Sequence, residues 1–361
     1  MTVPVGADGV LGLYSAVGDA FAGRRLGFGR RRAALAARFA RHRGAGDAGV
    51  TASWIAGALA ETGMVAIVVA PDATPPARLH AFADAPLHGA HLVGALAGLP
   101  SHAADVVRWH LEHDDGTGIP DRLRWDGIPA DAAALGIVHA FLEAVEDPAE
   151  PREALEALFG LAAESGRRFR IELVRAFRGF AGGASPDWDA PFEPDLPALD
   201  AEAALAALVA RIDARDSATA GRSERLAAAA AALAVRLGLD AGQGARLARL
   251  LALGRAAEAI PPDDFDPLSR FAREHRTAIA VRAAAIAASV LQYADDAPYL
   301  AGSAAWFEDG GQDPHAAVLA LVVAADALRP ADAVRRLTAA AGTQLDPEVT
   351  RAYLAGLGAP T

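Results

Sequence analysis

The chain has 361 residues, of which 34 are basic and 45 acidic, and its formal net charge at pH 7 is −11. It contains no cysteine, and every basic residue is an arginine, which excludes disulfides, cysteine nucleophiles, thiolate metal sites, P-loops and lysine chemistry. The acidic balance argues against DNA or RNA as a partner, because neutralising phosphates requires a basic face.

The composition predicts a mostly helical chain, since alanine, leucine, arginine and glutamate are strong helix formers. Residues 1–20 lack the basic segment of an export signal. The apolar run Met64–Ala70 is far shorter than the roughly 20 residues that span a bilayer. We therefore expect a soluble, cytoplasmic protein that does not bind membranes.

In the first half, the sequence predicts helices at Arg31–Arg43, Pro151–Ala163 and Arg168–Phe180. The β-branched run Val65–Ala70, which ends at a proline, predicts either one short strand or a buried turn. Three arginines cluster at the start of the first of these helices. They form either a solvated helix face or a site that captures an anion such as a nucleotide phosphate, and they are Arg30, Arg31 and Arg32.

One segment, Val107–Pro120, combines residue types that carry chemistry. On a predicted helix, His110 and His113 share one face and can bind one metal ion. Asp114 and Asp115 add oxygen ligands, and the following Gly-Thr-Gly can offer backbone amides to a phosphate. The alternative is an ordinary solvated helix end.

A stretch rich in proline and aspartate, 182–200, cannot form a continuous helix and predicts a linker. It separates a first module, 1–181, from a second module, 201–361. The second module is predicted to begin with helices at Ala201–Arg215 and Ser223–Leu237.

The ends of the two halves are similar to each other. Glu164–Phe177 and Ala341–Leu354 both place a glycine before a short turn, followed by a helix with an Arg-Ala-aromatic step. This pattern indicates a duplicated all-helical unit.

The segment His110–Pro120, here called the signature loop, resembles the signature of the HD-GYP family: His-His-Glu, two variable residues, Asp-Gly, one variable residue and Gly-Tyr-Pro. Further pieces of the family pattern follow in order at Leu123–Pro129, Gly221–Arg225, Val322–Pro330 and Ala341–Pro347. The resemblance identifies the retained pocket and loop as His110, Glu112, His113, Asp114, Asp115, Gly116, Gly118, Pro120, His275 and Asp326.

The resemblance implies an all-α fold made of two tandem HD-domain-like helical bundles related by a pseudo-twofold repeat. It also implies two or three iron or manganese ions and hydrolysis of cyclic di-GMP. The family's adjacent His-Asp pair is absent from both halves, where Leu59–Met64 and Leu250–Arg255 stand instead. Since alanine and leucine side chains have no lone pair to donate, these metal ligands are lost.

Other ligand positions are also altered. The family's opening histidine falls on Arg222 in the second half and near Arg30 in the first, and a guanidinium repels a metal ion. Arg222 therefore joins Arg30, Arg31 and Arg32 as a candidate for anion binding. The late aspartate of the family corresponds to His139 in the first half and to Asp326 in the second.

These losses favour a catalytically degenerate bacterial signalling or scaffold protein with no bound cofactor. We expect it to bind a cyclic dinucleotide, with Trp125 as a residue that can stack on guanine, or a protein partner of the diguanylate cyclase type. The first alternative is an active phosphodiesterase whose iron or manganese site is rebuilt from Glu61, His110, Asp115 and His139. The second is a structural protein that forms a homodimer through its alanine-rich helices.

Overall fold

The structure, a computed structural model, describes residues 6–68, 74–145, 151–182, 192, 194–255 and 266–358. These residues form α-helices and short 3-10 helices, and apart from two isolated bridges none of them has β structure. The predicted all-α fold class is confirmed. Over these ranges, none of the helices combines the length and the apolar character that crossing a bilayer requires.

The chain divides into two compact units, Met1–Ala204 and Leu205–Thr361. The predicted linker 182–200 includes residues 183–191 and 193, which lie outside the described residues, so its extent stays a prediction. Residues 194–200 have no regular secondary structure and lead directly into a helix.

The described residues of the first unit form nine α-helices. In chain order they are α1 (Ala7–Phe21), α2 (Phe28–His42), α3 (Asp47–Leu59), α4 (Pro75–Ala83), α5 (Ala85–Ala95), α6 (Ser101–Trp109), α7 (Ala130–Ala144), α8 (Pro151–Ala163) and α9 (Ile171–Ala181). Two 3-10 helices, Thr62–Ala66 and Trp125–Gly127, lie between them.

The helix α10 (Ala201–Asp213) contains the boundary between the units. The later α-helices in the described ranges are α11 (Arg222–Arg236), α12 (Ala241–Ala252), α13 (Arg270–Ala288), α14 (Ala297–Gly302), α15 (Pro314–Asp326), α16 (Pro330–Ala340) and α17 (Pro347–Gly356). The 3-10 helices are Ser217–Thr219, Leu253–Arg255, Leu291–Asp296 and Phe307–Asp309.

The predicted helices are present, most of them with shifted ends. The helix predicted at Arg31–Arg43 begins earlier, at Phe28, because Gly27 has a φ of 96° and turns the chain into the helix. For Val65–Ala70, the structure shows the buried turn, and not the strand, at the start of the segment. Val65 is fully buried in the 3-10 helix Thr62–Ala66, while residues 69–70 lie outside the described part of the chain.

Small residues allow the helices of each unit to approach closely. The most extensive helix contacts are α2 with α3 in the first unit and α11 with α12 in the second. A Cβ atom added to Gly57 of α3 would lie 2.7 Å from the Cα of Ala33 on α2, so no larger residue fits at this contact. The alanine-rich composition therefore serves close helix packing.

The similar ends of the halves adopt the same local structure. Gly166 and Gly342 have φ angles of 79° and 81°, and their N–H groups donate to Phe169 and Leu345 over 2.7 and 2.8 Å. A helix follows each turn, α9 in the first unit and α17 in the second. The positions that the sequence comparison paired are thus equivalent in local structure.

Candidate functional site

A buried arginine on α2 lies at the centre of the first unit's polar interior. The Arg32 side chain is 0 % exposed. Its Nε donates to the carbonyl of Gly57 on α3 over 2.7 Å, and its Nη1 donates to Oε2 of Glu61 over 3.0 Å. The same Nη1 lies 3.0 Å from Nδ1 of His139 on α7. One guanidinium therefore joins three helical segments.

The contact between Arg32 and His139 determines which nitrogen of the histidine carries the proton. Because a guanidinium only donates hydrogen bonds, Nδ1 of His139 must accept, and the proton is on Nε2. Nε2 lies 3.4 Å from Oε1 of Glu143, one helical turn further along α7. Burial opposes ionisation of Glu143, but the hydrogen bond from His139 and the guanidinium of Arg24 lower its pKa to about 2.

A second guanidinium, that of Arg24, is partly exposed and bonds the carboxylates of the same group. Arg24 donates from Nε to Oε1 of Glu61 over 3.0 Å and also bonds Glu143. Its guanidinium and that of Arg32 lie 5.1 and 5.4 Å from the ring centre of Phe28. Burial opposes ionisation of Glu61, but the charges of Arg32 and Arg24 outweigh burial and hold its pKa below the usual range.

His110 lies beside His139 and completes the group. Its Nδ1 donates to the carbonyl of Val107 over 2.7 Å, and its ring centre is 5.6 Å from that of His139. Its Nε2 is buried and has no hydrogen-bond partner among the described residues. Burial, reinforced by positive charge nearby, lowers the pKa of His110 to about 3, so its Nε2 keeps a lone pair at neutral pH. We call Arg24, Arg32, Glu61, His110, His139 and Glu143 the Arg32 cluster.

A buried carboxylate on α1 fixes the start of α2. Asp19 accepts the N–H groups of Gly27 and Gly29 over 2.8 and 2.9 Å, where they would otherwise be unpaired at a helix end. Burial raises the pKa of Asp19 to about 6, although Arg32 and the two backbone hydrogen bonds oppose the shift. Asp19 thereby holds the helix turn that carries Arg32.

The signature loop differs from the predicted arrangement. The helix α6 ends at Trp109, so His110 and His113 do not share a helical face and the predicted two-histidine surface is wrong. His113 lies outside the cluster, where its Nδ1 is 3.0 Å from Oγ1 of Thr117. Asp115 accepts from the backbone N–H and the hydroxyl of Thr117, which lower its pKa.

Two other acidic residues of the loop are structural anchors. Glu112 is buried and accepts the N–H groups of Asp121 and Leu123 over 2.6 and 2.9 Å. Asp114 is buried with its Oδ1 3.8 Å from Nε of Arg170, while its N–H donates to the carbonyl of Arg168. These bonds tie the loop to the chain on both sides of it.

The loop glycines and proline serve its tight path. Gly116 has a φ of 78°. A Cβ atom on Gly118 would lie 2.3 Å from the backbone nitrogen of His113, so the chain can pass there only without a side chain. Pro120 follows a cis peptide bond.

In the second unit, an aspartate again holds the start of a helix. Asp213 accepts the N–H and the hydroxyl of Ser223 over 2.7 and 2.8 Å, and Nη1 of Arg255 lies 3.1 Å from its Oδ1. Gly221, just before α11, has a φ of 67°. This arrangement matches Asp19, Gly27 and α2 in the first unit.

The equivalence makes one assignment from the sequence more definite. Since Phe28 follows Gly27 as Arg222 follows Gly221, the position that the resemblance placed near Arg30 is Phe28. The left-handed glycine before each helix sets this register.

Three of the four predicted anion-binding arginines are engaged with carboxylates. Arg30 lies 3.3 Å from Asp8 at the surface, Arg32 bonds Glu61, and Arg222 donates to Asp326 over 2.9 Å. Arg31 is half-buried on α2 and His275 is half-buried on α13.

The iron or manganese ions that the resemblance implies do not fit the first unit as it stands. Glu61 and Nδ1 of His139 are bonded to the same guanidinium nitrogen, and Asp115 is bonded to Thr117 instead of joining them. Over the part of the chain that the structure describes, no three histidine, aspartate or glutamate side chains are grouped to hold a metal ion. Of the four predicted ligands, Glu61 and His139 contact Arg32 and His110 lies beside His139, whereas Asp115 lies apart from them.

Sequence reasoning missed Asp19, Arg24 and Glu143 in the first unit and Asp213 in the second. A signal existed for the two aspartates, because each stands ten residues before the residue whose N–H it accepts near the helix start. Arg24 and Glu143 gave no such signal, since their partners are distant in sequence.

Neither a protein-family model nor a curated protein matches this sequence. Among solved structures, the crystal structure of the cyclic GMP-AMP-specific phosphodiesterase V-cGAP3 of V. cholerae is similar, with a TM-score of 0.70 and 16 % identity. The match covers 99 % of this chain and 98 % of that chain. At this identity the likeness shows the fold alone, which is an HD-GYP-like fold.

Proposed function

We propose that this chain is a non-hydrolysing HD-GYP-like signalling protein that recognises a cyclic dinucleotide. The similarity of fold to a phosphodiesterase specific for cyclic GMP-AMP supports this class of ligand. The Arg32 cluster is the observation from which we infer that the chain does not hydrolyse this ligand.

Hydrolysis at a two-metal centre requires several nitrogen and oxygen ligands and an open position for water. In the first unit Arg32 bonds the carboxylate of Glu61 and the lone pair of His139, and it brings a positive charge of its own. In the second unit Arg222 and Arg255 bond Asp326 and Asp213 in the same manner. Both units therefore hold their carboxylates with arginine.

Recognition of the ligand is proposed to use Trp125, which follows the signature loop. Its side chain is 47 % exposed, a large apolar area for a tryptophan on a surface. Arg170 donates to the Trp125 carbonyl over 2.7 Å and Glu112 accepts the N–H of Leu123, so the segment is held on both sides. An exposed indole held in place offers a stacking surface for a nucleobase.

Two further features of this segment support binding. Arg122 and Trp125 have φ angles of 57° and 40°, values that side chains other than glycine adopt at a cost of about 1 kcal/mol or more. Arg122 and Arg124 are exposed on either side of Leu123, and guanidinium groups recognise phosphates.

The direct experiment combines metal analysis, hydrolysis and binding on the full chain. We expect no stoichiometric iron or manganese, no cleavage of cyclic di-GMP or cyclic GMP-AMP with added Mn²⁺, and calorimetric binding of at least one of them. Trp125→Ala should weaken this binding at least about tenfold, the effect of losing one stacked base. Arg152→Ala, on the exposed face of α8, is the control and should bind as the unmodified protein does.

Turnover with stoichiometric metal would overturn the proposal in favour of an active phosphodiesterase. The position of Asp115, bonded to Thr117, argues against the site of four ligands which that alternative needs. Binding of a diguanylate-cyclase-type protein without binding of any cyclic dinucleotide would transfer the role of Trp125 to a protein contact. If the chain binds neither a cyclic dinucleotide nor such a protein, the proposal fails and the structural alternative remains.

A further inference from the structure

The carboxylate of Glu61 and the imidazole of His139 converge on one point, which is occupied by Nη1 of Arg32. The distances from Nη1 to Oε2 of Glu61 and to Nδ1 of His139 are both 3.0 Å. We propose that Arg32 is a resident cation that closes a metal site of two histidines and one carboxylate, and that removing its guanidinium opens this site to a divalent transition metal. The inference rests on the proposed function, because it supposes that the unmodified first unit holds no metal.

The three side chains offer a recognised set of metal ligands. Glu61 supplies a carboxylate, and His139 directs a lone pair at Arg32 from Nδ1. His110 supplies a second imidazole lone pair on Nε2, which is buried and has no partner among the described residues. Two imidazoles and one carboxylate suit Zn²⁺, Co²⁺ and Fe²⁺.

The surroundings of His139 also match those of a metal-binding histidine. A metal-bound imidazole usually donates its other N–H to a carboxylate, which fixes the tautomer and the orientation of the ring. His139 has this arrangement, with Nδ1 towards Arg32 and Nε2 3.4 Å from Oε1 of Glu143. The guanidinium of Arg32 therefore occupies the position next to Nδ1 in which a metal ion would bind such a histidine.

The unmodified protein cannot admit the ion by moving Arg32 aside. The side chain is 0 % exposed, and its Nε is bonded to the carbonyl of Gly57. A bond from a metal to nitrogen or oxygen is roughly 2 Å, so the ligands must also move inward by about 1 Å once the guanidinium is gone. Both conditions exclude a metal while Arg32 is present.

Removal of Arg32 also creates a demand for positive charge. Glu61 would then keep its hydrogen bond from Arg24, and the carboxylate of Asp19 is close enough for the two charges to repel. A divalent ion bound by Glu61, His110 and His139 would replace the positive charge that Arg32 supplied. Because it binds only the folded state, it would raise the stability of the variant.

The experiment compares the unmodified protein with Arg32→Ala, each freed of metal and then titrated with Co²⁺. We expect the variant to bind one Co²⁺ at least about tenfold more tightly than the unmodified protein, with visible absorption from nitrogen and oxygen ligands. We also expect a lower melting temperature that Co²⁺ or Zn²⁺ raises. Adding His139→Ala to Arg32→Ala should abolish both the absorption and the rise.

A control removes a guanidinium that bonds a buried carboxylate in the second unit. Arg255→Ala leaves Asp213, which is buried, bonded to the hydroxyl and N–H of Ser223 instead of facing an imidazole. This variant should lose stability without recovering it in Co²⁺. If Arg32→Ala does not fold without metal, Arg32→Gln, which keeps a donor for Gly57, is tested in the same way.

The outcomes separate this inference from the proposed function. If the unmodified protein contains stoichiometric metal, both fail. If it is free of metal and neither Arg32→Ala nor Arg32→Gln binds Co²⁺ more tightly than it does, only the inference about Arg32 fails. If Arg255→Ala gains Co²⁺ binding to the same degree, the effect is nonspecific and the inference also fails.

Discussion

Nη1 of Arg32 lies 3.0 Å from Nδ1 of His139, while the other ring nitrogen of His139 lies 3.4 Å from Glu143. The imidazole therefore stands between a guanidinium and a carboxylate, and each of its nitrogens has a defined role. This relationship connects α2 with α7 across the interior of the first unit. The stability of that unit should depend on it.

The first prediction concerns the negative charge that Arg32 requires. Glu61→Gln leaves a fully buried guanidinium without its carboxylate, and we expect a loss of about 3 kcal/mol in the free energy of unfolding. Urea denaturation measures the change. Arg152→Ala, which removes an ion pair whose side chains are 83 % and 65 % exposed, should leave the curve unchanged. Equal effects of the two substitutions would contradict a central role for the cluster.

The second prediction is the pH dependence that Asp19 imparts. Its pKa is about 6 in the folded protein and 3.8 for the ordinary group, so between these values the folded state holds a proton that the unfolded chain has released. The contribution of Asp19 to stability therefore falls as the pH rises from about 4 to about 6, and it is level above that. Glu143 acts in the opposite sense, since its lowered pKa stabilises the fold above pH 4.5 and this contribution is lost as the pH falls towards 2.

Asp19→Asn isolates the effect of Asp19, because the amide does not titrate. We expect the stability of the unmodified protein, relative to that of the variant, to fall by about 2 kcal/mol between pH 4 and pH 7. Urea unfolding at several pH values measures the difference. A constant difference across this range would show that the carboxyl group titrates normally.

The third prediction concerns the protonation of His110. Its pKa of about 3 means that the ring stays neutral with the proton on Nδ1, whereas an unperturbed histidine titrates near pH 6.5. We expect the ¹⁵N resonances of the His110 ring, assigned with a His110→Gln variant, to show this tautomer and no titration between pH 5 and pH 8. Titration of His110 within this range would mean that the ring is accessible to water.

The fourth prediction concerns the glycine that starts α2. Gly27→Ala meets no steric contact within 4 Å, but the φ of 96° disfavours any residue with a Cβ atom. We expect a loss of about 1–2 kcal/mol in thermal or urea unfolding. Gly46→Ala is the matched control, because Gly46 also precedes a helix and also has open space, yet its φ is −71°. Its effect should be smaller than that of Gly27→Ala, below about 1 kcal/mol.

Much of the architecture could be read from the sequence because local residue preferences set it. The predicted helix at Pro151–Ala163 has the same ends in the structure, and the helix predicted from Ala201 begins there. The turns at Gly166 and Gly342 were also readable, since a glycine before a short turn is a local signal. The start of α2 was misplaced because an αL glycine is less conspicuous than the run of arginines after it.

The candidate site was only partly predictable, because its members come from distant parts of the chain. The sequence singled out Glu61, His110 and His139, but it also included Asp115, which the backbone turns towards Thr117. It offered Arg32 either as part of a solvated helix face or as part of an anion-capturing site, whereas the close packing of α2 on α3 places its side chain in the interior.

The composition of the chain has a more definite meaning beside the structure. The sequence by itself determined the all-helical fold and the absence of cysteine and lysine chemistry, because helix propensity and residue identity are local properties. Only the tertiary structure decided that the arginines bond the carboxylates of both units. A guanidinium and its carboxylate meet through helix packing, and the contact between Arg32 and His139, 107 residues apart, leaves no mark in either local sequence.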